Sequence, residues 1–307
     1  MIQYVSRKLS KFIFVERIGF HMGLFSFNYA KAGPGVSKDA PKKKGVFLYF
    51  ELLGRKFFKL CQATMLCTIC SIPYFVLMTL FFYTFFGGYV TEIITGLFAG
   101  TDVAQTDVNM LSLLISSVIS MLFLCLWGSG PASAGFAYIT RCFTREEHAW
   151  IFSDFFKKFK ENFKQSIILV VLDFVCVFFI FNAVIQYRSM YATQNSFVML
   201  LLMYICIMTF IVYTFMHFHI YQIMVTFECK FIDLLKNSLL VALGKAPLNL
   251  LLSILVSGLV IIFYFYVKPG FVLFFSVVAV YGLIRYPIEF YSARTVQRIM
   301  NNTSKGE

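Results

Sequence analysis

The sequence predicts an all-α, polytopic membrane protein with six transmembrane helices and with both termini in the cytosol. Six long apolar stretches account for about half of the 307 residues, and most contain the roughly 20 apolar residues that cross about 30 Å of hydrocarbon. Lys and Arg lie almost entirely in alternate gaps between these stretches. The six predicted spans cover residues 60–86, 110–139, 167–184, 197–227, 247–267 and 270–286.

The distribution of positive charge predicts the orientation of these spans. The N-terminal segment, the second and fourth gaps and the stretch from Arg285 to the C-terminus together hold 25 of the 27 Lys and Arg residues. The three remaining gaps hold two, Arg188 and Lys268. By the positive-inside rule, the charged gaps and both termini face the cytosol. The net charge of +12 is therefore a feature of the membrane interface. Nucleic acid is not an expected partner, because no gap is long enough to fold as a basic soluble domain.

Residues 1–59 are predicted to form a cytosolic segment that leads into the first span. Residues 32–44 are rich in Gly, Pro and Lys, which is typical of an irregular linker near anionic headgroups. Residues 46–60 combine aromatic and basic side chains, and this pattern suits a helix lying in the interface. No signal peptide is expected, because charges interrupt the short apolar runs of residues 1–21.

An amphipathic cytosolic helix is predicted over residues 144–165, between the second and third spans. Thr144 and Glu147 have the spacing of a capping box, which places the start of this helix at Arg145. Ile and Phe recur at steps of four along one face, and lysines occupy the other faces. Residues 231–237, before the fifth span, show a shorter version of this pattern.

Three interfacial helices, each followed by a pair of spans, indicate three similar units. The similarity between the units is too weak to establish an internal repeat. The predicted organisation is a cytosolic segment, a six-helix membrane domain that includes the cytosolic helix, and a short cytosolic tail, over residues 1–59, 60–290 and 291–307.

Small residues surround a proline within the second span, where they are expected to shape helix packing. Proline removes a backbone hydrogen bond and kinks a helix, and small residues let a second backbone approach closely. Tight packing of a kinked helix fits this pattern. A discontinuous helix that lines a substrate site, as in transporters with broken helices, fits it as well. The residues concerned are Gly128, Gly130, Pro131 and Gly135.

Two ionisable residues are predicted to lie inside the membrane near its cytosolic boundary. Asp173 lies about 10 Å inside it, at 1.5 Å of rise per residue, and Arg285 about 8 Å inside it. An unpaired charge at this depth costs a few kcal/mol, so the matching depths favour an ion pair between the two helices. Glu289, four residues after Arg285, is a competing partner, and Arg285 can alternatively extend to the headgroups.

The sequence contains no constellation typical of catalysis or of metal binding. It lacks a His-Glu-x-x-His motif, a nucleophile elbow and a phosphate-binding glycine loop. Cys67 and Cys70 lie among apolar residues of the first span, where a packing role is favoured over a redox or metal role. The cysteines lie in spans or near their cytosolic ends, so no disulfide is expected. The protein is therefore predicted to be non-enzymatic, without a cofactor or a metal.

Three blocks of sequence carry a resemblance to a known family. They read Gly-Pro-Ala-Ser-Ala-Gly-Phe-Ala-Tyr-Ile-Thr-Arg over 130–141, Arg-Glu-Glu-His-Ala-Trp over 145–150 and Asp-Phe-Phe-Lys-Lys-Phe-Lys-Glu-Asn-Phe-Lys-Gln over 154–165. On these blocks the chain resembles the YesL-like family of bacterial integral membrane proteins, and its linker resembles that of clostridial-type members. Residues 1–21 have no counterpart in the family, so a translation start at Met22 is an alternative.

The resemblance implies a multi-pass protein of the bacterial cytoplasmic membrane that is associated with carbohydrate uptake by ABC importers. Because the chain has no nucleotide-binding loop, it cannot power transport itself. The expected role is therefore that of an accessory or regulatory protein whose partners are the lipid bilayer and importer subunits. A secondary solute carrier and a structural membrane scaffold are the alternatives. The residues predicted to dock on the importer are Arg141, His148, Trp150, Asp154, Lys157, Lys160, Asn162 and Lys164.

Overall fold

The computed structural model describes residues 45–99, 108–127, 130–266 and 281–306, and within these ranges it is all-helical, as the sequence predicts. Between residues 130 and 266 the helices are separated by one to six residues, and no strand occurs in the described ranges. The linker predicted over 32–44 lies outside them. In chain order the helices are α1 (Val46–Ala99), α2 (Val108–Trp127), α3 (Pro131–Thr144), α4 (Ile151–Glu161), α5 (Phe163–Gln194), α6 (Phe197–Thr226), α7 (Phe231–Gly244), α8 (Ala246–Tyr266) and α9 (Tyr281–Gly306).

Long apolar helices support a membrane protein, although fewer of them qualify as spans than the sequence predicts. Val46–Gly88 within α1, α5 and α6 are long and apolar enough to cross a bilayer. Helices α7 and α8 count as a fourth candidate if the pair is one span, but the chain bends by 86° between them. The bend at Lys245 separates α7, the predicted third interfacial helix, from the apolar α8. Most of the predicted sixth span, 270–286, lies outside the residues that the structure describes.

Helix α1 departs from the prediction because it continues unbroken for 54 residues, about 80 Å at 1.5 Å per residue. The predicted interfacial helix, the first span and the start of the next gap are thus one element. Arg55 and Lys56 mark a membrane boundary in the sequence, but Arg and Lys favour helix and do not end one. Pro73 lies inside α1, and such prolines are tolerated in transmembrane helices because neighbouring groups satisfy the freed carbonyl.

The second predicted span is broken rather than continuous. Helix α2 ends at Trp127, and α3 begins at Pro131 after Gly130, whose φ of 60° is in the left-handed region that glycine tolerates. Pro131 occupies the first helical turn, where its missing N–H costs no hydrogen bond. Close packing accompanies the break, because a Cβ on Gly135 would lie 2.8 Å from the ring of Phe155. The predicted break and the predicted close approach are both present; Gly128 lies outside the described residues.

The helix predicted to be cytosolic begins later than the capping box predicts. Thr144 ends α3, and its hydroxyl donates to the carbonyl of Thr140 at 2.8 Å, so it does not cap a following helix. Residues 145–150 are non-helical, and α4 begins at Ile151. The backbone N–H of Trp150 there donates to Oδ2 of Asp154 at 2.8 Å. The predicted single helix over 144–165 is therefore a loop, the short helix α4 and the first residues of α5.

The buried core is concentrated at one end of the long helices. Helix α5 is buried only in its first half, and α6 only in its second half, over 215–225. Because two residues join these packed helices, they run antiparallel and their buried halves lie at the same end. This is the end predicted to face the cytosol. At the other end, apolar side chains such as Phe179, Phe197 and Met208 are more than half exposed, as expected of a lipid-facing surface.

Two buried clusters share the helices α3 and α9. One lies among α1, α3, α4 and α9, and the other surrounds α6 and includes residues of α3, α5, α7, α8 and α9. A side chain at Gly282 of α9 would collide with Thr64 of α1, so these two helices approach closely. Helices α3 and α9 therefore connect α4 with the long apolar helices.

Labelling of single cysteines tests the predicted orientation. In a cysteine-free background, Thr106→Cys is expected to react with a membrane-impermeant thiol reagent on intact cells, because its gap lacks Lys and Arg and is predicted to lie outside. Lys157→Cys, at an exposed position of α4, is expected to react only after the cells are opened. The reverse labelling pattern would refute the orientation.

Candidate functional site

The surface of α4 that faces away from the protein combines aromatic and basic side chains. Trp150 is 71% exposed and Phe152 is 64% exposed, and Phe156, Lys157 and Lys160 are exposed on the same side. These five residues are called the outer face of α4. Large aromatic side chains are rarely left this exposed on one short helix unless they contact a partner or the membrane.

The opposite side of α4 is fixed to the body of the protein. Ile151 and Phe155 are buried, with Phe155 fully buried against α3 at Gly135. The predicted apolar face of the helix is thus confirmed for these two residues, whereas Phe163 is 44% exposed. On α3, the ring of Tyr138 lies 5.3 Å from the Lys158 ammonium. The helix is therefore a rigid support for its outer face.

The loop before α4 is held by α1. Arg55 pairs with Glu146 at 2.6 Å, and Lys56 donates to the carbonyl of Glu147 at 3.4 Å. Glu146 has a φ of 60°, which is an uncommon conformation for a residue other than glycine. The ring of His148 lies edge-on to Trp150, with 4.9 Å between the ring centroids. Contacts with α1 and α4 thus order both ends of this loop.

The residues predicted to dock on a partner divide into two groups. Arg141, Asp154 and Asn162 make contacts within the protein: the Arg141 guanidinium donates to the carbonyl of Val225 at 2.9 Å, and the Asn162 amide donates to that of Lys158 at 3.0 Å. Asp154 receives the N–H of Trp150. Burial lowers the pKa of Arg141, with a further lowering from the nearby Arg145. The exposed group, which is free to meet a partner, is His148, Trp150, Lys157, Lys160 and Lys164.

Arg285 is paired with Glu289 on its own helix rather than with Asp173. Its guanidinium donates to Oε1 of Glu289 at 2.9 Å and to the hydroxyl of Ser133 at 2.8 Å. It also lies 5.6 Å from the ring centroids of both Phe136 and Tyr221, within the range of cation–π attraction. Arg285 is therefore paired with Glu289, four residues away on the same helix, and the predicted interhelical pair with Asp173 is wrong.

Gln222 extends this network from α9 to α6. Its amide nitrogen donates to Oε2 of Glu289, to the carbonyl of Ala137 at 2.9 Å and to the hydroxyl of Thr140 at 3.3 Å. Burial raises the pKa of the Glu289 carboxyl, and the Arg285 guanidinium and the Gln222 amide act in the opposite direction. Glu289 and its partners Arg285 and Gln222 thus join three helices, α3, α6 and α9.

Asp173 is bonded to two side chains of α6. The hydroxyl of Tyr213 donates to Oδ1 of Asp173, and Nε2 of His217 lies 2.7 Å from the same oxygen. Because an ionised carboxylate only accepts hydrogen bonds, Nε2 is the nitrogen that carries the proton when Asp173 is charged. Asp173 is fully buried and His217 is 4% exposed. No protein donor or acceptor in the described ranges reaches Oδ2 of Asp173 or Nδ1 of His217.

The sequence analysis named Glu289 as a possible partner of Arg285, but it did not select Tyr213 and His217, the partners of Asp173. A usable signal existed in α6, where Tyr213, His217 and Tyr221 follow at steps of four within an otherwise apolar helix. His219 contacts other residues: its ring nitrogens lie 2.9 Å from the Ser292 hydroxyl and 3.2 Å from the Asn249 oxygen. A polar side chain inside a membrane helix raises the free energy of the folded protein unless it is hydrogen-bonded. The polar residues of α6 therefore require partners on other helices.

These buried groups form hydrogen bonds and ion pairs. Within the ranges that the structure describes, no group of three or more His, Cys, Asp and Glu residues could hold a metal ion. The described cysteines are free thiols. The Asp173–His217 contact joins α5 to α6, and the Arg285–Glu289 pair joins α9 to α3 and α6 through Ser133 and Gln222.

One family model matches part of the chain. Residues 46–184 match the family model described as "Protein of unknown function, DUF624", which is consistent with the resemblance to the YesL-like family. No curated protein and no solved structure matches the chain. The matched segment contains α4 and Asp173, whereas Tyr213, His217 and Arg285 lie beyond it.

Proposed function

We propose that this protein is a non-catalytic accessory or regulatory protein of a carbohydrate ABC importer in the bacterial cytoplasmic membrane. The outer face of α4 is the observation that supports this proposal. It offers Trp150 and Phe152 beside Lys157 on a helix whose other side is fixed to α3. A rigid support lowers the entropic cost of binding, and exposed aromatic residues are frequent hot spots of protein interfaces.

The character of this face suggests the surface that it would bind. A helix that presents aromatic anchors fits an apolar groove, and lysines at its edge favour acidic residues around that groove. In an importer, such a groove would belong to a permease subunit near the cytosolic boundary. The importer's own ATPase would supply the energy, because the chain has no nucleotide-binding loop.

Substitution of two outer-face residues tests the docking proposal. Trp150→Ala combined with Lys157→Glu is expected to reduce copurification with the permease at least tenfold and to slow growth on the cognate glycan, because loss of one anchor typically costs 2 kcal/mol or more. The melting temperature and the abundance of the protein are expected to stay unchanged, since both side chains are exposed.

The matched control is Lys236→Glu on α7, which reverses an exposed charge far from α4 in the sequence. This variant is expected to copurify like the wild type. An intact complex with the double variant, or loss of the protein itself, would argue against docking through α4.

A secondary solute carrier is the second candidate, and the buried Asp173–His217 pair favours it. Carriers place ionisable groups inside the membrane next to broken helices, and the chain is broken at Gly130, where a Cβ would lie 3.1 Å from Val170 of α5. Uptake of a sugar into proteoliposomes that contain this protein alone would support the carrier. Uptake that depends on Asp173 would distinguish it from a leak.

A further inference from the structure

A groove on the predicted cytosolic side lies beside α4 and shares Lys160 with its outer face. Two segments line it: residues 158–165, where α4 meets α5, and residues 224–230, where α6 leads into α7. Its volume is about 1050 Å³. The amide of Gln165 donates to the carbonyl of Cys229 at 3.0 Å and so joins the two walls. This space is called the lysine groove.

The lysine groove carries an excess of positive charge. Its lysines are Lys158, Lys160, Lys164 and Lys230, and its carboxylates are Glu161 and Glu228. Lys158 and Glu161 neutralise each other at 2.6 Å. The other three lysines are exposed and form no ion pair among the described residues, so they outnumber the single remaining carboxylate.

Aromatic side chains accompany these charges. Phe163 is 44% exposed and Phe227 is 41% exposed, and both line the groove. The positive dipole ends of α5 and α7 lie at the same place, because these helices begin at Phe163 and Phe231. Neither helix start has a side-chain cap. Cationic groups next to exposed aromatic rings are the combination that binds an amphiphile with an anionic head.

The position of the groove relative to the membrane favours a phospholipid headgroup over a soluble phosphate as its ligand. It lies where α5 begins and α6 ends, at the end of two candidate spans. Phospholipid headgroups occupy this level of a bilayer, and anionic lipids are present at high local concentration there. A soluble phosphate would have to bind in competition with them, on exposed lysines that do not enclose it. We propose that the lysine groove binds the phosphodiester headgroup of an anionic phospholipid from the cytosolic leaflet.

Binding of labelled lipid to the full-length protein in nanodiscs tests this proposal. The probe is spin-labelled phosphatidylglycerol in a phosphatidylcholine bilayer, and its motionally restricted fraction measures association. The wild type is expected to prefer phosphatidylglycerol over labelled phosphatidylcholine. Lys164→Gln combined with Lys230→Gln is expected to weaken this preference on the order of 30-fold, since each lysine near an anionic surface contributes about 1 kcal/mol and 1.4 kcal/mol is a factor of ten.

The control pair, Lys157→Gln with Lys236→Gln, removes two exposed lysines that do not line the groove. It is expected to keep the preference of the wild type. An equal loss of lipid preference in the two double variants would overturn the proposal, because general surface charge would then explain the preference. Absence of any preference in the wild type would overturn it as well. Displacement of the lipid by millimolar inorganic phosphate would show a phosphate site instead, and would also overturn the proposal.

Discussion

Glu289→Ala is expected to lower the free energy of unfolding in detergent by about 3–5 kcal/mol, which is typical for removal of one partner from a buried ion pair. Arg285 and Glu289 are 4% and 3% exposed, and 2.9 Å separates Nη2 from Oε1. Without the carboxylate, the guanidinium keeps its desolvation cost and loses its main compensation. Gln222 loses an acceptor at the same time. Denaturant titration followed by far-UV circular dichroism measures the loss.

An exposed ion pair provides the control for this prediction. Glu146→Ala removes the nearer of two carboxylates that pair with Arg55: Glu146 lies 2.6 Å away and Glu51 3.7 Å away, and the side chains of Glu146 and Arg55 are 36% and 49% exposed. Solvent screening limits such a pair to about 1 kcal/mol or less. Similar losses of unfolding free energy for the Glu146 and Glu289 variants would contradict the view that burial makes the Arg285–Glu289 pair important.

Replacing both members of the buried pair separates their attraction from their desolvation cost. Arg285→Met combined with Glu289→Met is expected to lose about 1–3 kcal/mol less than the sum of the two single variants. If the double variant loses as much unfolding free energy as the two single variants together, the two groups do not interact. Because the network joins α3, α6 and α9, the Glu289 variant is also expected to weaken copurification with a partner, through loss of the support for α4.

The fold class follows from the sequence because the bilayer imposes strict demands on it. Long apolar runs must be helical to satisfy their backbone groups in hydrocarbon, and α5, α6 and α8 lie where the predicted third, fourth and fifth spans do. Hydropathy does not determine where a helix continues beyond the membrane. Arg55 and Lys56 therefore indicated a boundary that α1 passes without interruption.

The start of the helix predicted over 144–165 was wrong because the Thr144 hydroxyl can form either of two local hydrogen bonds. Thr144 can cap a helix that follows it, or it can donate to the carbonyl four residues before it. The second arrangement occurs here, since α3 continues to Thr144 and packs against α1 and α4. Tertiary packing decides between the two, and a sequence motif of four residues does not contain that information.

The partner of Asp173 illustrates a different limit of sequence reasoning. Counting residues along a span gives the depth of a side chain but not its direction around the helix axis. Asp173 and Arg285 were matched by depth, yet Asp173 faces Tyr213 and His217 of the neighbouring α6. Arg285 already has Glu289 four residues away on its own helix, where no alignment between helices is required.

A double-mutant cycle on Asp173 and His217 is expected to show coupling of about 1–2 kcal/mol, because contacting residues in one hydrogen-bond network lose their shared interaction only once. Asp173→Ala leaves His217 and Tyr213 without their acceptor, and His217→Ala leaves a buried carboxylate with one donor fewer. Each single variant is therefore expected to unfold at lower denaturant concentration, and the double variant to lose less than the sum.

The matched cycle combines Asp173→Ala with Arg285→Ala. Asp173 is bonded to His217 and Tyr213 and not to Arg285, so these losses are expected to add within about 0.5 kcal/mol. Asp173→Asn offers a further comparison, because it keeps an oxygen for both donors and removes only the charge. It is expected to recover most of the stability that Asp173→Ala loses. Coupling between Asp173 and Arg285 with none between Asp173 and His217 would contradict the arrangement, and would restore the pair that matching depth favours.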